Sequence, residues 1–125
     1  MKKIQLVLAS LLSVFLLTSC QSGPYKKTND GVIVTLKTEN ANSTKHVRLQ
    51  IINDDIIRVS ATPANNFPEN KSLITIYDKT KTEGWDVSEQ NGNVILKTAT
   101  TIASVSLATG EVSFSGINGL SLIHI

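Results

Sequence analysis

The chain is poor in most of the residues that carry chemistry. Of its 125 residues one is cysteine, one is tryptophan and two are histidine. A single thiol, Cys20, excludes an intramolecular disulfide and any cysteine-based zinc site. Charge of one sign is also missing. The formal net charge is +2, but Lys2 and Lys3 precede an apolar run that a mature protein would lose. From residue 20 onward ten basic side chains face ten acidic ones, which leaves no basic patch for nucleic acid. There is no Gly-x-Ser-x-Gly elbow, no glycine-rich phosphate loop, no cofactor motif and no internal repeat. The length allows one domain and excludes a barrel with accessory modules.

The longest apolar run is short. Ile4 to Leu17 contains eleven apolar residues in fourteen, interrupted by Gln5, Ser10 and Ser13. A membrane span needs roughly 20 residues, whereas a secretory h-region needs about 7–15. With Met1-Lys2-Lys3 as its positive n-region, the run predicts a helical signal peptide over residues 1–19. It ends in Leu17-Thr18-Ser19-Cys20, which resembles the lipobox of bacterial lipoproteins. That resemblance implies lipidation of Cys20, which becomes the mature N-terminus and tethers the protein to a membrane. Gln21 stands where an inner-membrane retention signal would place Asp, so the expected location is the outer membrane, on its periplasmic or cell-surface face. Gly23 to Gly31 has no periodic apolar face, so residues 20–31 are expected to form the lipidated cysteine and a linker.

From residue 32 to 125 the pattern is all-β. No stretch repeats apolar residues at helical spacing, and β-branched residues alternate instead. Val32, Val34 and Leu36 share one face of a strand. Val47, Leu49 and Ile51 share another, with Arg48 and Gln50 turned outward. Asn53-Asp54-Asp55 forms a tight turn, and Ile57, Val59 and Ala61 return. Further strands are expected at Ser72–Tyr77, Trp85–Ser88, Val94–Thr98, Ile102–Leu107 and Glu111–Phe114. Asn91-Gly92 and Thr109-Gly110 supply the positive-φ positions of hairpin turns. Strands beginning eight or nine residues apart predict an antiparallel β-sandwich.

Candidate sites are few. Asp54 and Asp55 are adjacent carboxylates that read as turn formers rather than a proton-sharing pair. Asp78, Glu83, Asp86 and Glu89 surround Trp85, and an indole face with nearby carboxylates suits a sugar ring. Trp85 and Tyr77 are therefore the candidate carbohydrate contacts, with a core or sheet role as the plainer reading of Trp85. His46, beside Lys45, has no neighbouring ligand, and His124 has no identifiable partner. No catalytic, metal-binding or cofactor-binding residue is assigned.

The strand–turn–strand of residues 47–63, with Ile57-Arg58-Val59 leading to Pro63, resembles the N-terminal β-sandwich of glycoside hydrolase family 31, the α-glucosidases and α-xylosidases. Ala108 to Phe114 followed by Gly119-Leu120 is similar to the family's next hairpin, although Ser115-Gly116 stands where members usually carry Asp. The resemblance spans about residues 30–122. It implies a galactose mutarotase-like N-terminal domain and, for the full-length enzyme, hydrolysis of α-xylosyl or α-glucosyl bonds in an oligosaccharide or polysaccharide. Family members carry their nucleophile and acid/base, both Asp, on a (β/α)₈ barrel of roughly 250 residues, so no catalytic residue transfers to this sequence. Leu120 to Ile125 is an apolar strand-like run without a polar tail, which leads to the expectation of a fragment truncated before that barrel. Residues 21–125 alone are then expected to lack a cooperative melt. The competing classes are a complete small carbohydrate-binding lipoprotein and a purely structural envelope lipoprotein.

Overall fold

The computed structural model describes residues 23–39, 43–68 and 84–124. The signal peptide, Cys20 and the strand expected at Ser72–Tyr77 lie outside these residues. Among the described residues nine strands make two antiparallel sheets. The first contains β1 (Tyr25–Thr28), β2 (Gly31–Thr35), β3 (His46–Asn53) and β4 (Ile56–Thr62), in that order. The second contains β5 (Asp86–Gln90), β6 (Asn93–Lys97), β7 (Thr101–Ser106), β8 (Val112–Gly116) and β9 (Ser121–His124). Every neighbour in a sheet is also a neighbour in sequence, so each sheet is a meander.

Alternation makes the core. Val32 and Val34 of β2 lie opposite Leu49 and Val47 of β3, while Val94 and Leu96 of β6 lie opposite Val105 and Ala103 of β7. All eight are essentially buried and belong to one cluster with Leu36, Ile51, Leu107 and Val112. The two inner faces therefore share a single dry layer, the arrangement of a sandwich. Both ends are stitched. At one end, the hairpin end, Lys37 N–H donates to Leu107 O at 2.8 Å. At the other, the clasp end, Thr98 and Thr100 hydroxyls donate to Asp54 O at 2.6 and 2.8 Å.

The turns form as their residues dictate. Asn53 Oδ1 accepts the amides of Asp55 and Ile56 at 2.9 and 2.8 Å, an Asx turn that closes β3 onto β4. A register shift between Ile51 and Asn53 marks a bulge there. Asn91 (φ 52°) and Gly92 (φ 76°) occupy the left-handed region between β5 and β6, which the primed hairpin turn requires.

Two expectations are corrected. The segment from Gly23 to Gly31 is not a linker: Tyr25 to Thr28 pair with Val34 to Gly31 as an edge strand. It lacks visible periodicity because Lys26 and Lys27 are exposed and Tyr25 is its one side chain packed against the core. Arg48 and Gln50 do point away from the core, but they are not solvated like the rest of that face. Gln50 is only 8% exposed, because the β1–β2 turn folds back over β3.

Candidate functional site

The most developed polar arrangement centres on Asp30, in the turn between β1 and β2. Its carboxylate accepts hydrogen bonds from Gln50 Nε2 at 2.7 Å, Thr28 Oγ1 at 3.0 Å and Arg48 Nη2 at 3.1 Å. Its carbonyl accepts the amide of Ile51 at 2.7 Å. Arg48 and Gln50 belong to β3, so the turn residue that precedes β2 is held to the neighbouring strand by its side chain as well as by its backbone. Partial burial pushes the Asp30 carboxyl up. The hydrogen bonds from Gln50 and Thr28 and the positive charge of Arg48 outweigh that push and hold it below the ordinary carboxylate value. Arg48 Nε is buried and makes no hydrogen bond within the described structure. The cluster is a charge-assisted tie between strands, and it contains no second carboxylate for acid/base chemistry.

Gly31 makes the tie possible. Its φ of +151° is one that side chains rarely adopt, and a Cβ there would meet Leu49 O at 2.0 Å. The dipeptide Asp30-Gly31 is one of the strongest hairpin signals in sequence. It was the available clue to β1 and to the Asp30 cluster.

Trp85 stands immediately before β5, half-buried against the core. Lys27 Nζ lies 4.3 Å from its ring centroid, a cation–π contact that joins the outermost strands of the two sheets. In this arrangement the indole packs and is capped from within the chain. Tyr77, Asp78 and Glu83 lie outside the described residues, so only Asp86 and Glu89 of the acidic surround are placed, both exposed on β5.

Asp54 and Asp55 act as turn residues. Asp54 contributes its carbonyl to the Thr98 and Thr100 hydroxyls, and Asp55 Oδ1 accepts from Thr100 at 2.7 Å. Thr98 Oγ1 also accepts the amide of Thr101 at 3.0 Å. No spacing rule links residues 54 and 98, so this clasp between the sheets was invisible in sequence. His46 Nδ1 sits 3.3 Å from Thr35 Oγ1; His124 lies on β9, opposite Ser113. Among the described residues no three His, Cys, Asp or Glu side chains converge as a metal site.

An open cleft of about 430 Å³ lies at the hairpin end, lined by Gly23, Pro24, Thr35, Leu36, Lys37 and Glu89. Its walls offer one amine and one carboxylate and no aromatic ring. Among the described residues the exposed large apolar side chains are Ile56, Ile117 and Leu120. All three belong to the clasp end, since Ile117 N–H donates to Thr100 O and Ile56 follows the Asp54-Asp55 turn.

No protein-family model matches the sequence. Among solved structures, the fold is similar to that of a family 31 (GH31) α-xylosidase from Xanthomonas citri, with a TM-score of 0.67 and 36% sequence identity. The match covers 79% of this chain and 10% of that enzyme. The likeness thus reaches sequence as well as backbone, and the chain corresponds to about a tenth of the length of the enzyme it is similar to.

Proposed function

We propose that the chain is the N-terminal, non-catalytic β-sandwich of a family 31 glycoside hydrolase acting on α-xylosyl or α-glucosyl bonds. The observation that carries this reading is the 36% identity over 79% of the chain, at a TM-score of 0.67, to an α-xylosidase of which the match spans a tenth. Fold alone would be weak support, because sandwiches host many functions. The strand–turn–strand of residues 47–63 adds to it, with Asn53 closing the turn as its residue type demands.

In this reading the sandwich supports chemistry performed elsewhere in the polypeptide. Retaining hydrolysis needs two carboxylates about 5 Å apart across the scissile bond. Asp54 and Asp55 are committed to a turn, and Asp30 is tied to Arg48 and Gln50. The substrate is an oligosaccharide or polysaccharide bound by the whole enzyme. Lipidation of Cys20 in the lipobox-like Leu17-Thr18-Ser19-Cys20 anchors the protein in the outer membrane.

The test is genomic and enzymatic. The DNA downstream of codon 125 is read, and the whole product is assayed on aryl α-xylosides and α-glucosides. A continuous frame encoding a barrel with paired Asp residues, and turnover of either glycoside, is the expected result. A stop codon with no barrel nearby, or a whole product inert on both glycosides, overturns the reading.

A further inference from the structure

The pairing of Tyr25 to Thr28 with β2 changes the geometry of anchoring. With a flexible linker of about ten residues, a lipid-anchored domain would tumble freely above the bilayer. The structure removes that linker. β1 begins at Tyr25, and Pro24 is already seated, its carbonyl accepting the Thr35 amide at 2.8 Å. Four residue steps separate Cys20 from Pro24, which at full extension span at most about 14 Å.

We infer that, given the Cys20 anchor proposed above, the sandwich is held with its hairpin end against the membrane and its clasp end facing away. The hairpin end gathers Pro24, Lys37, Gly92 and the turn after Leu107, joined by the Lys37–Leu107 and Leu107–Gly92 backbone bonds. β3, eight residues long, runs from this end to the clasp end, a distance of about 26 Å. The short tether therefore cannot let the two ends exchange places. Charge does not supply the orientation. Among the described residues Lys37 and Lys45 at the hairpin end are offset by Glu39, Glu89 and Glu111, which leaves no cationic surplus among them for anionic lipid. Orientation by the tether is accordingly insensitive to salt. It also directs Ile56, Ile117 and Leu120, the exposed apolar side chains of the clasp end, away from the bilayer.

The experiment uses the full chain matured in a bacterium that lipidates such proteins, then inserted into phosphatidylcholine vesicles carrying a headgroup-labelled energy acceptor. Donor dyes are placed on single cysteines introduced by Ala108→Cys at the hairpin end and Ala99→Cys at the clasp end, both exposed positions. The expected result is several-fold greater transfer from position 108 than from 99, unchanged by salt. Twelve Gly/Ser residues inserted between Ser22 and Gly23 should abolish the difference. Equal transfer from the two positions with the native tether overturns the orientation while leaving the anchor intact. Failure of the chain to bind vesicles, or binding undiminished by Cys20→Ala, overturns the anchor and the orientation with it.

Discussion

Gly31→Ala tests how the first sheet is held together. The new methyl would lie 2.0 Å from Leu49 O, 3.0 Å from Leu49 C and 3.2 Å from Gln50 Cα. All three are backbone atoms, so no side chain can rotate away. Ordinary carbon contacts sit near about 3.5–4.0 Å, so β2 and β3 must separate locally by more than about 1 Å. That movement breaks the Ile51 N–H to Asp30 O bond and loosens the grip of Asp30 on Arg48 and Gln50. The backbone bond contributes about 1 kcal/mol and hydrogen bonds to a charged group about 1.5–3 kcal/mol. With about 1–2 kcal/mol for the unfavourable φ, and allowing for overlap between these effects, the expected loss is about 3–5 kcal/mol. Gly92→Ala is the control. Its φ is +76° but a Cβ there meets nothing within 4 Å, so it should cost only the conformational term, about 1–2 kcal/mol. Amide exchange at Ile51 reads the local effect directly. Protection there should fall by about two orders of magnitude or more in Gly31→Ala, and by much less in Gly92→Ala. Equal losses in the two variants would refute the claim that close approach to Leu49 is what demands glycine.

Three further outcomes are expected. Asp30 has a folded-state pKa below its ordinary value of 3.8, so its stabilisation is fully present above that value and is lost as pH falls through the folded one. Asp30→Asn should cost about 1 kcal/mol of local stability near neutrality and flatten the acid limb of Ile51 amide protection; an unchanged limb would remove Asp30 as its source. Lys27→Ala should cost about 0.5–1 kcal/mol and alter the emission of Trp85, the chain's one tryptophan, whereas unaltered emission would mean that the ammonium does not cap the ring. Thr98→Val removes the donor to Asp54 O and the acceptor for the Thr101 amide. Amide exchange at Thr101 should show protection lowered by the equivalent of about 1–3 kcal/mol, and unchanged protection would mean that the clasp contributes nothing to joining the sheets.

What was legible in the sequence follows from where each interaction lies along the chain. Val47, Leu49 and Ile51 announce a buried face because a strand repeats every two residues, and Asn53 and Asn91-Gly92 announce turns because their chemistry acts within three residues. The expected strands that lie within the described residues fall within about two residues of their expected bounds for the same reason. β1 was misread because an edge strand with one core-facing residue carries no period, and its only clear signal was the Asp30-Gly31 dipeptide. The outer face of β3 was misread for a different reason. Arg48 and Gln50 look like solvent-facing residues at period two, and nothing local reveals that a carboxylate 18 and 20 positions earlier lies over them.

An exposed Arg and Gln on a sheet invite a ligand, and a lone Trp among carboxylates invites a sugar. In the folded chain Asp30 already occupies the first pair, and Lys27 already caps the second. Both occupants come from the arm formed by β1 and its turn. The same nine residues, which by sequence alone read as a linker, instead bind the domain's outer edge and cap its indole. A lengthened tether inserted before Gly23 should therefore free the orientation without loosening β1. Deleting residues 23–30 should release Arg48, Gln50 and Trp85 together, seen as simultaneous loss of Ile51 amide protection and a change in Trp85 emission. If Trp85 emission changed while Ile51 stayed protected, the arm would not act as one unit, and the coupling between its inner and outer contacts would be refuted.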